Sequence, residues 1–229
     1  MFDFGPTILE GNPSPPDMPP AYGPRRIVLD KILVDAAAEA GAEIREEFTL
    51  DEIQFDDDRV TGIKGHDKSG RSHTEHAKVT IGADGRFSEV AKSVHPEAYN
   101  EKPPILAGYY SYWSNLPAKG FENFALPMRG CAMFPTNDGL TLLVGGWPMT
   151  EFEANKKDAE GNWMKIFDMH PELKERVAGA KRETKIFGTY VPNYFRKPYG
   201  PGWALVGDAG YNRDFITAMG ITDAFLSAD

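Results

Sequence analysis

Apolar positions along the chain switch between a helical and an alternating spacing. Leu29, Ile32, Leu33, Ala36, Ala37 and Ala40 recur at helical intervals, which predicts a helix over 29–40 with one apolar face. Gly41 stops it. Four strands are then expected, over Ala42–Phe48, Leu50–Phe55, Arg59–Gly65 and Ser72–Ile81, with Asp56-Asp57-Asp58 and Lys68-Ser69-Gly70 as turns. Ile105–Trp113 reads as an aromatic-rich strand. Arg129–Pro135 and Leu140–Gly146 read as a hairpin closed by Thr136-Asn137-Asp138-Gly139. Residues 149–180 turn helical, with Pro171 opening a short helix that ends near Gly179. Lys185–Val191 returns as a strand, Pro192–Pro201 reads as a loop, and Trp203–Val206 reads as a short buried strand. From Ile216 the pattern is helical again, through Met219, Gly220 and Asp223. Residues 1–25 carry Pro13, Pro15, Pro16, Pro19, Pro20, Gly23 and Pro24, so an irregular arm is expected.

Two strand ends carry chemistry. Trp203–Val206 runs into Gly207-Asp208, and a carboxylate in that position sits at the crevice where open α/β sheets bind ligands. The helix that follows turns its positive end and free N–H groups toward the same place. The pair suits a ligand with hydroxyls for the aspartate and an electron-rich group for the helix. The second segment is Gly82-Ala83-Asp84-Gly85, followed by Ser88 as a plausible N-cap. For each segment alone, a plain strand–turn–helix is the competing reading.

Composition narrows the classes. Hydrophobic content of 41% and charged content of 26% are ordinary for a globular chain. A net charge of −9 argues against nucleic acid and against an anionic membrane surface. Cys131 is the sole cysteine, so no disulfide forms within the chain, which fits a reducing compartment. No apolar run approaches the ~20 residues of a membrane span. Met1 to Pro6 lack the marks of a signal peptide, and the cytoplasm is the default expectation. His73 and His76 lie on opposite faces of one strand and cannot share an ion. His66, His95 and His170 stand isolated, the Asp56–Asp58 run reads as a solvated turn, and no metal site is expected.

The stretch from Trp203 to Ala224 resembles the Gly-Asp motif of FAD-dependent monooxygenases of the aromatic hydroxylase type, the p-hydroxybenzoate hydroxylase-like flavoproteins. The resemblance implies that Asp208, flanked by Gly207 and Ala209, binds the ribityl chain of FAD. It also implies that the backbone around Gly220, Ile221 and Thr222 faces the pyrimidine end of the flavin. That family usually has proline where this chain has Phe215, and often glycine where it has Ala218. Gly82 to Ala91 is similar to the family's Asp-Gly motif, with Asp84 and Gly85 in the motif positions and roles in FAD and NAD(P)H binding. The two aspartates are 208 − 84 = 124 residues apart, in the family's order. Arg26, ahead of the first helix, falls where the family places an FAD-contacting Arg or Gln.

The implied fold is α/β (α+β): a partial FAD-binding Rossmann-like domain with a β-meander and an inserted β-sheet substrate domain flanked by helices. Residues 1–102 and 201–229 would form the FAD-binding part, and 103–200 the substrate domain. In the family, NAD(P)H reduces the flavin, O₂ adds to form a C4a-hydroperoxide, and an oxygen atom passes to an aromatic or other electron-rich small molecule. The expected partner is therefore an aromatic or apolar small molecule. No protein acid or base is singled out. A reductase that saturates polyprenyl chains (geranylgeranyl reductase-like) and a halogenase are the alternatives within the superfamily. The tunnel lysine and Trp-rich motif of a tryptophan-type halogenase are not identifiable. No Gly-x-Gly-x-x-Gly occurs, so the resemblance implies the middle of the family architecture and weak or absent FAD binding. A non-catalytic fragment is the alternative of another class.

Overall fold

The computed structural model describes residues 1–12 and 16–229, with only the backbone of Thr189 and Thr217. Pro13 and Pro15 of the expected arm lie outside the described residues. The chain forms two compact units, one of Met1–Ala42 with Ile105–Tyr190 and the other of Glu43–Pro104 with Val191–Asp229. In chain order the early elements are β1 (Phe2–Asp3), β2 (Ile8–Leu9), α1 (Arg26–Glu39), β3 (Thr49–Asp56), β4 (Arg59–His66), β5 (Ser72–His76), β6 (Thr80–Gly82), α2 (Glu89–Val94) and β7 (Ala98–Lys102). Next come β8 (Leu106–Ser114), β9 (Glu122–Leu126), β10 (Arg129–Pro135), β11 (Thr141–Pro148), α3 (Phe152–Asn155), α4 (Ala159–Phe167) and α5 (Pro171–Ala178). The last are β12 (Lys181–Arg182), β13 (Phe187–Tyr190), β14 (Asn193–Arg196), β15 (Tyr199–Gly200), β16 (Trp203–Leu205), β17 (Tyr211–Asn212) and α6 (Gly220–Ala228). The mixed α/β class agrees with the sequence.

The first unit is one sheet in the order β12-β8-β11-β10-β9-β1-β2, with β13 also paired to β8. Alternation along each strand sends one set of side chains to each face. Ala107, Trp113, Phe124, Cys131, Met133, Leu143 and Trp147 meet Trp163, Ile166 and Phe167 of α4 and Leu173 and Val177 of α5 in a single core. Trp163 is fully buried, and its indole N–H donates to the Tyr109 carbonyl at 2.9 Å, so this polar atom is satisfied inside the core. The N-terminal arm is not wholly irregular. Phe2 and Asp3 pair in parallel with Asn123 and Phe124, and buried Asp3 meets the His170 imidazole at 3.0 Å. This explains the missed β9 and the seemingly isolated His170: both are completed by residues far away in sequence.

α1 forms where expected, and Gly41 at φ +98 ends it. None of its residues is buried, however, and Ile32, Leu33 and Val34 are exposed. Residues 42–48 are not a strand: they are almost wholly exposed, form no ladder with any strand among the described residues, and include Glu47 at φ 55. A strand takes its stability from such a ladder.

The second unit holds three three-stranded sheets: β3-β4-β5, β15-β16-β6 and β17-β14-β7. The expected strand over 72–81 is two strands in different sheets, β5 antiparallel to β4 and β6 parallel to β16. The expected loop over 192–201 contains β14 and β15. The N–H of Val60 bonds the Pro201 carbonyl at 3.0 Å and that of Thr80 bonds the Gly202 carbonyl at 2.9 Å, which stitches the meander to β16. Gly202 at φ +75 has the Val60 carbonyl oxygen 2.0 Å from where a Cβ would sit, so the crossing admits glycine alone. Ile53, Val60, Val90, Ala91, Trp203, Leu205 and Ala209 make the core.

Two predictions test the first unit. Trp163→Ala should lose about 3–5 kcal/mol, the usual cost of emptying a large buried aromatic site, read as a lower urea midpoint. Buried Glu122 is pushed up by desolvation, but the hydrogen bonds from Arg176 and from the Lys119 N–H, together with the Arg176 charge, win and hold its carboxyl below the usual value. Such a group adds stability above its unfolded pKa of roughly 4.3, and that stability drains as pH falls through the lower folded value. Glu122→Gln should therefore be less stable at neutral pH and show a flatter loss of stability below pH ~4.3. A parallel acid titration of the urea midpoint in both proteins checks it.

Candidate functional site

The site grows from the parallel pair β6 and β16. Trp203, Ala204 and Leu205 lie opposite Thr80, Ile81 and Gly82, and the Val206 N–H bonds the Gly82 carbonyl at 3.0 Å. Because the strands run the same way, both leave the sheet at the same edge. A Cβ at Gly82 would stand 2.8 Å from Leu205 Cδ2 and 2.9 Å from Val90 Cβ, so glycine is what lets β16 and α2 close on β6.

Beyond β6 the chain turns at Asp84 and Gly85, the latter at φ +76. Ser88 caps α2, accepting from the Ala91 N–H at 3.0 Å as the sequence predicts. The exposed Asp84 carboxylate accepts the Glu89 N–H at 2.7 Å, so it also holds the start of α2. Beyond β16, Gly207 adopts φ +56 and presents Asp208 as an exposed side chain and Ala209 as a buried one. The structure thus brings Asp84 and Asp208 to the same end of one sheet.

α6 leans on the Gly-Asp turn. The Gly207 N–H donates to Ser227 Oγ at 2.8 Å, and a Cβ at Gly207 would touch Ala224 Cβ at 3.4 Å. No side chain caps the helix start at Met219, and Gly220, Ile221 and Thr222 of its first turn are exposed. Arg213 pairs with Asp223 one turn further on. Ala218, immediately before the helix, is left-handed at φ 53.

Three residues, two of them in the stretch 192–201 read as a loop, hold the turn from behind. Asn212 Nδ2 donates to the Asp208 carbonyl at 2.7 Å and to the Tyr194 hydroxyl at 2.8 Å. That hydroxyl lies 3.2 Å from the Asp208 carbonyl and 3.4 Å from the Arg86 carbonyl. The Arg196 guanidinium stacks 4.4 Å over the Tyr194 ring and donates to the Ala209 carbonyl at 2.9 Å. Burial, foremost, pushes the Tyr194 phenol above its ordinary value, so it stays protonated as a donor. The only hint in the sequence was a run of aromatics and bases before Trp203.

Arg26 belongs to the other compact unit, where it opens α1 and pairs bidentately with Asp30 at 2.8 and 3.0 Å. Among the described residues, no cluster of three His, Cys, Asp or Glu side chains could hold a metal ion. No helix among them is long and apolar enough to cross a membrane. The exposed Asp208 carboxylate at the sheet end suits the hydroxyls of a cofactor such as FAD, and the first turn of α6 carries N–H groups that no side chain caps.

Residues 17–177 match the family model described as FAD binding domain. Digeranylgeranylglycerophospholipid reductase 1 of Methanopyrus kandleri is 29% identical over 220 residues, covering 90% of this chain and 55% of the relative. The chain spans about half the length of the curated relatives it matches. The solved myxobacterial chondrochloren halogenase, an FAD-dependent enzyme, superposes with a TM-score of 0.81 at 26% identity, over 91% of this chain and 50% of that one. A probable FAD-dependent monooxygenase from Pseudomonas aeruginosa shares the fold, with a TM-score of 0.65 at 20% identity over 87% of this chain and 55% of that one.

The left-handed Ala218 generates a prediction. A Cβ in that region costs about 1–2 kcal/mol, against which glycine's extra unfolded freedom weighs part of the gain. Ala218→Gly should raise stability by about 0.5–1 kcal/mol, read as a higher melting temperature. A lower one would show that the turn does not hold this conformation.

Proposed function

The chain belongs to the FAD binding domain family, and from that premise we propose that it contributes the flavin-facing turns and the substrate sheet of an FAD-dependent oxidoreductase. The observation that carries this reading is the arrival of two carboxylate-bearing turns, at Asp84 and Asp208, at one end of the β6–β16 pair, with α6 packed on the second turn through Ala224 and Ser227. Asp208 accepts hydrogen bonds from ribityl hydroxyls. The N–H groups of Gly220, Ile221 and Thr222 stabilise negative charge on the electron-accepting ring. Asp84 and Gly85 would shape the edge that faces an NAD(P)H reductant. FAD, when bound, supplies the electron transfer and oxygen chemistry, and the chain supplies position and electrostatics.

The substrate is read as an apolar or aromatic small molecule. On the sheet face of the first unit away from α4 and α5, Tyr110 stacks on Phe187 with centroids 5.6 Å apart and meets Tyr112 edge-on at 6.0 Å. Leu142 lies opposite Tyr112, and Phe134 opposite Leu142, on the same face. An aromatic sheet face of this kind suits ring stacking with an electron-rich substrate. The reaction we propose is NAD(P)H-dependent monooxygenation of such a ring. Saturation of a prenyl chain is the second reading, supported by the similarity of nine-tenths of this chain to the Methanopyrus kandleri reductase.

Asp208→Ala should weaken FAD binding about tenfold or more, the worth of hydrogen bonds to a charged acceptor. Titration of FAD followed by its fluorescence checks this. NAD(P)H oxidation that rises with a phenol and consumes O₂ supports monooxygenation. Oxidation that rises with a prenylated lipid and proceeds without O₂ supports the reductase. An Asp208→Ala protein that binds FAD as tightly as the parent overturns the assignment of that residue.

A further inference from the structure

The Asp-Gly turn and the Gly-Asp turn are far apart in sequence, yet a single phenol reaches the backbone of both. The Tyr194 hydroxyl lies within hydrogen-bonding distance of the Arg86 carbonyl, next to Gly85, and of the Asp208 carbonyl. Its lone pair is filled by Asn212 Nδ2, whose other hydrogen goes to the Asp208 carbonyl. Asn212 is buried, so its amide is fixed by these two bonds. Arg196 closes the cluster: its guanidinium covers the Tyr194 ring, its side chain holds the Ala209 carbonyl, and its own N–H bonds the Gly210 carbonyl at 2.8 Å. β14 carries Tyr194 and Arg196, and β17 carries Asn212; the two strands pair through Tyr194 opposite Asn212. The register of one strand pair therefore sets where both turns stand.

We infer that Tyr194, with Asn212 and Arg196, is a positioning residue that fixes the spacing of the Asp84 and Asp208 turns and so sets the affinity of the cofactor crevice. This rests on the reading of Asp208 as a cofactor ligand. None of the three needs to touch the cofactor. They act on carbonyl oxygens on the protein side of the turns, and the carboxylate of Asp208 is left on the exposed side.

Tyr194→Phe keeps the ring, its stacking and the strand pairing, and removes only the hydroxyl. Amide hydrogen exchange of this 229-residue chain should then accelerate in both turns together, across 84–87 and 207–212, by about three- to tenfold, the effect of one or two lost hydrogen bonds. The circular dichroism spectrum should be unchanged, and FAD, titrated by fluorescence, should bind about three- to tenfold more weakly. Asn212→Leu, which removes both donors, should reproduce the exchange pattern with a larger loss of affinity. Acceleration in only one turn, or in neither, overturns the inference whatever happens to FAD. Asp208→Ala separates the two levels of the argument. Unaltered FAD affinity in that variant, with Tyr194→Phe still loosening both turns, sinks the ligand reading and leaves the tie between the turns standing. Weakened affinity in Asp208→Ala with no change in Tyr194→Phe sinks the positioning role alone.

Discussion

The parallel pairing of β6 with β16 is the constraint on which the second unit depends. An antiparallel pair would send its two outgoing turns to opposite edges. A parallel pair sends them to the same edge, which is why open α/β sheets collect ligands there. Parallel pairing also needs a long crossover, and here the whole stretch between Gly82 and Trp203 intervenes, including β8 to β13 and α3 to α5 of the first unit. The contact is made tight by Gly82, which admits Leu205 and Val90 where any side chain would collide. It is made continuous with the meander by Gly202. Trp203 and Leu205, the buried residues of the short β16, then join Val60, Val90 and Ala91 in one core. A three-residue strand is marginal alone; its place is set by what packs around it.

The first unit obeys a different constraint. Its sheet is covered by α4 and α5 on one face, and the side chains that alternate to that face form the large core around Trp147 and Trp163. The other set of positions is as aromatic as the core set but only half-buried, with Tyr110, Tyr112 and Phe134 among them. Alternation therefore gives the same strands one face packed on helices and one half-buried aromatic face. Arg25 already uses the second face: its guanidinium lies 5.2 Å over the Tyr112 ring while its side chain pairs with Asp138.

Local order was legible in the sequence wherever the physics is local. The helical period around Leu29, the stop at Gly41, the hairpin at Asn137-Asp138 and the Ser88 cap all depend on neighbours a few residues away, and all were found. Readings failed where a distant partner decides. The pattern from Ser72 to Ile81 continues smoothly across the point where the chain leaves β4 and joins β16, so nothing local marks the break. β14 hides between Pro192 and Pro198 because its neighbour β7 lies far off in sequence and its other neighbour, β17, is only two residues long. α1 has the apolar face its spacing promised, but spacing cannot supply the surface that would bury it. The candidate site divides the same way. Asp84 and Asp208 announce themselves because each follows a strand and a glycine. Tyr194 does not, since its partner Arg86 is 108 residues away and is engaged through a carbonyl that every residue type possesses.

An exposed aspartate on a flexible turn would lose entropy on meeting a ligand and bind weakly. Here the turn's carbonyls at Asp208, Ala209 and Gly210 are each satisfied by donors from β14 or β17. Its N–H at Gly207 is satisfied from α6. Ordering the backbone of this turn is thus accomplished by the fold itself. At Asp84 the side chain does the ordering: it accepts the Glu89 N–H and holds the start of α2. Two aspartates at one sheet end are therefore not equivalent. Asp208 stands on a turn whose backbone is clamped, whereas the Asp84 side chain itself holds the start of a helix.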